Sequence, residues 1–261
     1  MSTQIGPSST SGRMEVVVET RKRYHEQLAE MKADTVRLTA MATEAVAAGT
    51  QALLDGDLAA AEGVIAADRV LDDLTRTIEE HAYVILARQG PLASELRAVV
   101  AILRVIHEVE RCGDLMVNVA KAARRLYPRG LDPKTRGLIE RMGSQAVDQL
   151  RLAIDAFENE DLREAAAVED MDDVMDDLQK TLFRTIFSAG AADEDALQKA
   201  VQVALVGRYY ERIADHAVNV SGRVRFMVTG EWSEEDVGGE EEEAGALARP
   251  AGGPPGGAVP A

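Results

Sequence analysis

Ten oxygen-bearing side chains draw attention because their spacing recurs. Glu110, Asp114 and Asn118 follow one another at four-residue intervals, and Glu211, Asp215 and Asn219 repeat the series. Asp68 with Asp72, and Asp172 with Asp176, make two further pairs at the same interval. On a helix, positions i and i+4 share a face one turn apart, so each series lines up two carboxylates and a carboxamide oxygen. Two like charges at that spacing cost roughly a few tenths of a kcal/mol, and Asp is a poor residue for a helix interior. One Asp-x3-Asp is ordinarily a solvated charged face. Retention of both residue type and spacing in two copies points instead to a cation among the acids. Oxygen-only ligation favours the hard ions Mg²⁺, Mn²⁺, Ca²⁺ and ferric iron, with zinc also accessible.

Other chemistries find little support. No Glu-x-x-His occurs around His25, His81, His107 or His216, which argues against an oxygen-activating di-iron bundle. Gly-rich phosphate loops, Ser–His–Asp arrangements and Cys/His zinc spacings are missing from the sequence. The single cysteine, Cys112, forms no intrachain disulfide and reads as core filler, since its repeat counterpart is Ile213.

The elements that must position the acids are helices. Apolar residues recur at three-to-four spacing from Arg21 to Ala48, and alternation at period two is missing. The turn Asp55-Gly56-Asp57 precedes a second helix reaching Arg88, and Gln89-Gly90-Pro91 ends it. A third runs to about Arg125, and Asp132-Pro133 opens a fourth that ends near Asn159. The fifth spans about Leu162 to Phe187 and the sixth about Glu194 to Val228. Helices this long pack lengthwise, and short connections make neighbours antiparallel.

A repeat underlies this order. Asp57-Leu58, Asp68, Asp72, Asp73 and Leu74 recur 104 residues later as Asp161-Leu162, Asp172, Asp176, Asp177 and Leu178. Glu110 to Ala120 aligns with Glu211 to Ser221 at a shift of 101, with six of eleven positions identical. The chain therefore divides into a flexible leader (1–20), two three-helix repeats (21–130 and 131–230) and a disordered acidic, Gly/Pro-rich tail (231–261). The expected fold is all-α.

The formal charge is −16, of which eight acids and one arginine lie beyond Gly230. Such a chain lacks the basic surface that nucleic acid or anionic lipid requires. No apolar run reaches the ~18 residues of a membrane span, and the polar first dozen residues are not a secretory signal. A cytoplasmic protein is expected. Lys121, Arg124, Arg125, Arg129, Lys134 and Arg136 form the one basic cluster, either helix C-terminal charge or a docking patch. Arg97, at a dipole-unfavourable helix start, hints at a specific contact.

Taken together, Glu110-Arg111-x-Gly113-Asp114-x3-Asn118 and Glu211-Arg212-Ile213-Ala214-Asp215-His216-x2-Asn219 resemble the paired motifs of the PhoU family of phosphate-transport regulators. Gln89-Gly90-Pro91-Leu92-Ala93-Ser94-Glu95-Leu96-Arg97 and Val228-Thr229-Gly230 extend the likeness over about residues 20–230. The resemblance implies two tandem three-helix bundles related by pseudo-twofold symmetry. It also implies metal ions, iron or zinc with Mg or Mn as alternatives, on Glu110, Asp114, Glu211, Asp215, Asp68, Asp72, Asp172 and Asp176. Asn118 and Asn219 would ligate or orient. The implied role is negative control of phosphate uptake and the phosphate-starvation response, without catalysis. A homodimer would join the ATPase subunit of a phosphate ABC transporter to a sensor histidine kinase. Two further readings of the same acids are a metal-dependent hydrolase, in which carboxylate-held ions activate water, and a merely solvated surface.

Overall fold

Four aspartates start the helices that follow them. Asp57 accepts from the backbone N–H groups of Ala59 and Ala60 at 2.9 and 3.0 Å, and Asp132 from Lys134 and Thr135 at 3.1 and 3.0 Å. Asp161 accepts from Arg163 at 2.7 Å and Glu164 at 3.4 Å, and Asp193 from Ala196 at 2.7 Å. Each satisfies amides that no intrahelical carbonyl reaches, worth about 1 kcal/mol per cap. The computed structural model describes residues 9–89, 91, 93–128, 130–190 and 193–231, with side chains from residue 21 onward except at Gln89. Across them run α1 (Ser9–Asp55), α2 (Leu58–Gln89), α3 (Ser94–Leu126), α4 (Pro133–Asn159), α5 (Leu162–Ala189) and α6 (Glu194–Thr229). No strand occurs among the described residues.

The start of α1 corrects one expectation. The helix opens at Ser9, inside the 1–20 segment read as a flexible leader. Between Ser9 and Thr20 only Gly12 is a strongly unfavourable helix residue. A helix nucleated on buried Tyr24 and Met31 can therefore extend upstream, gaining a hydrogen bond for each residue fixed. The 232–261 part of the acidic tail lies outside the described residues.

Each repeat folds as a bundle, with α1, α2 and α3 packed on one another and α4, α5 and α6 likewise. Across the seam α3 lies along α6, and α1 along α4. The result is a central ring of α1, α3, α6 and α4, flanked by α2 on one side and α5 on the other. Helices α3 and α6 are antiparallel. Arg97, early in α3, donates to the carbonyl of Met227, late in α6, at 3.5 Å, while Arg125 reaches Gln202 at 3.3 Å at the opposite end. That arrangement is the pseudo-twofold relation of the repeats. One apolar core runs through both, joining Ile102, Val109 and Met116 of α3 to Ile139 and Leu150 of α4 and Ile213 of α6.

Small residues set the closest crossings. A Cβ on Gly143 of α4 would lie 2.5 Å from Thr50 Cγ2 and 3.1 Å from Thr50 Cβ on α1. The Thr50 hydroxyl is also 2.7 Å from the phenol oxygen of fully buried Tyr210 on α6. Three helices thus meet at one threonine, whose branched side chain has little room to turn away. Gly143→Ala is expected to destabilise the protein by about 1–3 kcal/mol in urea unfolding, as overpacked cores do. Gly137→Ala in the same helix meets nothing within 4 Å and is expected to gain up to ~1 kcal/mol from helix propensity. A Gly143→Ala protein as stable as its parent contradicts the close approach.

Candidate metal centres

Helical spacing on α2 turns Leu71, Ile78 and Ile85 inward. It leaves Asp68 and Asp72 partly buried on the side facing α3. There they come within electrostatic reach of Glu110 and Asp114. The two helices approach closely at this level because residue 113 is glycine. A Cβ there would stand 3.0 Å from Asp68 Oδ1 and 3.3 Å from Leu71 Cδ1. Loss of water, then the charges of Asp72, Asp114 and Glu110, push the Asp68 carboxyl up to about 6, with Lys121 opposing. Glu110 is also raised, first by burial and then by Asp114, against the pull of Arg111. Arg111 stands 3.8 Å from both Glu110 and Asp114.

The second row is built alike but furnished differently. Asp172 and Asp176 of α5 face Asp215 of α6. Burial raises Asp172, with Asp215 adding to the effect and a 3.5 Å hydrogen bond from the Gln149 amide opposing it. Asp215 keeps an exposed edge, yet loss of water still raises it, against the pull of Arg208, His216 and Arg212. Lys180 holds Asp176 at 3.1 Å. Arg208 pairs with Glu211 through Oε1, and the buried Glu211 Oε2 has no hydrogen-bond partner.

The structure thus brings seven of the eight acids into two facing rows, α2 against α3 and α5 against α6, while Glu211 stands one turn before Asp215 on α6, paired with Arg208. Their chemistry fits a hard cation: the donors are all oxygen, they repel one another, and Glu211 keeps an unpartnered buried oxygen. Among the described residues no three His, Cys, Asp or Glu side chains converge to enclose one ion. The rows are facing arrays of carboxylates rather than closed cages.

The asparagines fare differently from the acids. Asn118 stands one turn beyond Asp114 on α3, as expected. The Asn219 amide, however, donates to Glu108 Oε2 at 3.1 Å across the seam. Glu108 is the residue that the sequence reading missed. It is 16% exposed, lies 2.7 Å from His216 Nδ1 and 3.8 Å from the buried guanidinium of Arg223, and ties α3 to α6. The available signal was asymmetry. In the repeat alignment Glu108 meets Tyr209, His216 meets Leu115 and Arg223 meets Ala122, three changes of polarity at neighbouring levels of the seam.

Other residues singled out by sequence have intramolecular employment. Cys112 is buried, donates to the Glu108 carbonyl at 3.3 Å, and has its thiol pushed up by desolvation, as core filler would. Arg97 sits at the C-terminal end of α6, where a cation is favourable. Of the basic cluster, Arg124 pairs with Glu62 at 3.0 Å and Arg136 with Asp55 at 3.1 Å, while Arg129 lies outside the described residues. A groove of about 530 Å³ between α1 and α2, walled by Ala45, Ala48, Ala60, Gly63 and Val64, ends at Asp68.

Comparison with known proteins agrees with this architecture. The model of the PhoU domain family matches the chain twice, over residues 35–123 and 139–224. A Mycobacterium tuberculosis protein named phosphate-specific transport system accessory protein PhoU homolog 2 is 38% identical over 211 residues, which cover 80% of this chain and 98% of that protein. The crystal structure of PhoU from Pseudomonas aeruginosa superposes with a TM-score of 0.76 at 29% identity, covering 80% of this chain and all of the other. That of the phosphate transport system regulatory protein PhoU from Streptococcus pneumoniae gives 0.74 at 25% identity, covering 81% and 99%.

The raised Asp68 carboxyl makes stability depend on pH. Its folded value, about 6, exceeds the ordinary 3.8, so the folded state holds this proton more tightly than the unfolded state. The associated stability is complete below pH 3.8 and is lost as pH rises through 6. In chelator-treated protein, Asp68→Asn is expected to gain about 1 kcal/mol at pH 7.5, discounted for partial exposure, and little at pH 4. Urea unfolding at both pH values checks it; equal effects at the two would contradict the facing row.

Proposed function

The chain belongs to the PhoU domain family, and from that premise we propose that it is an accessory regulator of phosphate transport. In this reading it restrains phosphate uptake and the phosphate-starvation response. It does so as an adaptor between the ATPase subunit of a phosphate ABC transporter and a sensor histidine kinase, acting at the cytoplasmic face as a homodimer. Support for the regulatory role comes from the family match in both repeats and from the relatives named as accessory proteins of phosphate-specific transport. No helix among the described residues is long and apolar enough to cross a membrane. Its membrane-bound partners would therefore be met by surface contact.

The ion-binding part rests on one observation: partly buried carboxylates face each other across α2 and α3, and again across α5 and α6. Asp68, Asp72, Glu110 and Asp114 would hold ions in the first repeat, and Asp172, Asp176, Glu211 and Asp215 in the second. A bound iron, zinc, magnesium or manganese ion would supply positive charge there. The residues themselves do the mechanical part. Carboxylates that repel load the α2–α3 and α5–α6 contacts, and neutralising them would remove that load. Occupancy would thereby stiffen the flanks on which partners dock. The hydrolase reading gains no comparable support, since the groove beside Asp68 is lined mainly by Ala, Val, Met and Leu side chains, with Glu44 the one other carboxylate.

Two measurements test this. A strain lacking the chain is expected to transcribe phosphate-starvation genes in phosphate-rich medium, with repression restored by the full-length chain. Elemental analysis should find metal in the purified protein and markedly less in Glu110→Ala/Glu211→Ala. Normal repression without the chain would sink the regulatory role, and metal-free wild type would sink the ion sites.

A further inference from the structure

Met41, Ala45 and Ala48 of α1 stand across from Gly63, Val64 and Ala67 of α2, each set at helical spacing, and bound the groove of about 530 Å³. Val64 and Leu71 are buried at its base, and a Cβ on Gly63 would meet nothing within 4 Å. The second repeat closes the same place with its own side chains. At the shift of 104, Met41, Ala45, Ala48 and Ala67 correspond to Gln145, Gln149, Leu152 and Met171. The Gln145 amide donates across to the Met171 carbonyl at 2.9 Å, Leu152 packs on the core, and buried Gln149 donates to Asp172 at 3.5 Å. In the first repeat both the aliphatic bulk and the donor are gone. Asp68, the counterpart of Asp172, lines the open groove together with Glu44. Neither carboxylate has a hydrogen-bond or ion-pair partner among the described residues. Lys121 acts on Asp68 without pairing with it, and Arg124 is held by Glu62.

We propose that this groove receives a helix of a partner protein, one that brings a ridge of aliphatic side chains to the apolar walls and a lysine or arginine to Asp68 and Glu44. The second repeat shows the chemistry that completes such a groove: aliphatic bulk between the helices and an N–H donor at the aspartate. Two helices that turn small side chains to each other leave a channel into which a third lays its ridge. The wall from Ala60 to Leu71 runs for about 16 Å, or three turns. Both charged groups lining the channel are anionic, so a basic helix is drawn in and an acidic one repelled. That sign argues against residues 231–261 of the chain itself, which hold eight acids and one arginine. The docking surface needs no ion in the acid rows.

The probe is a fluorescein-labelled peptide of about 18 residues, long enough to hold a helix, with Leu at three-to-four spacing, Lys beside that row and Ala elsewhere. A second peptide carries Glu in place of Lys. Binding to the full-length, chelator-treated protein is read by anisotropy in about 0.15 M salt, and the contact is located by amide hydrogen exchange. The Lys peptide is expected to bind and to protect residues 41–48 and 60–71, and the Glu peptide to bind at least about tenfold more weakly. Ala48→Leu/Ala67→Met installs the second repeat's residues at two exposed positions and is expected to weaken the Lys peptide by about tenfold or more. Glu44→Lys leaves the apolar walls intact and is expected to weaken the Lys peptide and strengthen the Glu peptide, a separate handle should the filled groove disturb the fold. Phe187→Ser, on another exposed apolar surface, changes neither. Absence of binding, equal binding of the two peptides, or affinity unmoved by both groove variants overturns the inference. Protection of the two stretches that rises with protein concentration in the absence of peptide assigns the groove to a second copy of the chain and overturns the partner helix.

Discussion

Helix α3 lies against α6 in antiparallel register from Arg97 to Arg125, and α1 against α4 extends the same seam. Neither three-helix unit could bury its inner face without the other. The apolar side chains on those faces, from Ile102 to Ile213, form one core rather than two. Burial of that face is what holds six long helices at fixed levels, and fixed levels decide which acids meet. Because the register is antiparallel and centred close to Cys112, the Glu110 and Glu211 motifs stand at about the same height, back to back, each turned toward its own outer helix. The acid rows are thus a product of the seam as much as of their own spacing.

Like charges packed across α2 and α3 oppose folding, and the protein tolerates them at a place where Gly113 lets the helices approach closely. The core supplies the stability that makes this tolerable, since burial of a Leu or Ile side chain is worth about 1.5–3 kcal/mol and dozens of apolar side chains are buried here. Functional sites are where local electrostatics and global packing are expected to conflict. The second row shows the same conflict partly relieved by its own Lys180, Arg208 and Gln149.

Much of the architecture could be read from the chain because its signals are local. Asp57, Asp132, Asp161 and Asp193 cap helices through their own backbone neighbours, and Gly190 and Gly230 end them at positive φ. Repetition at shifts of 104 and 101 exposed the acid rows for the same reason. What escaped was whatever depended on the partner across the seam. Asn219 matches Asn118 in sequence, but only the packing of α6 on α3 shows that its amide is spent on Glu108. Arg97 hinted at a specific contact, and the end of α6 supplies one that no local pattern names. The upstream reach of α1 has no such signal, because Ser9–Thr20 holds Gly12, Ser, Thr and a run of three valines rather than a periodic apolar stripe, although helix elongation does not need one.

The link from Glu108 to His216 also bears on ancestry. Neither residue has a like counterpart, Tyr209 and Leu115 standing at the equivalent positions. In an assembly of two identical three-helix chains, any substitution appears on both sides of the axis at once, and a carboxylate that needs an imidazole opposite it has no way to arise on one side only. Fusion of the two units into a single polypeptide removed that restriction. It allowed one half to supply the anion and the other its receptor, and so fixed a direction across what had been a symmetric joint.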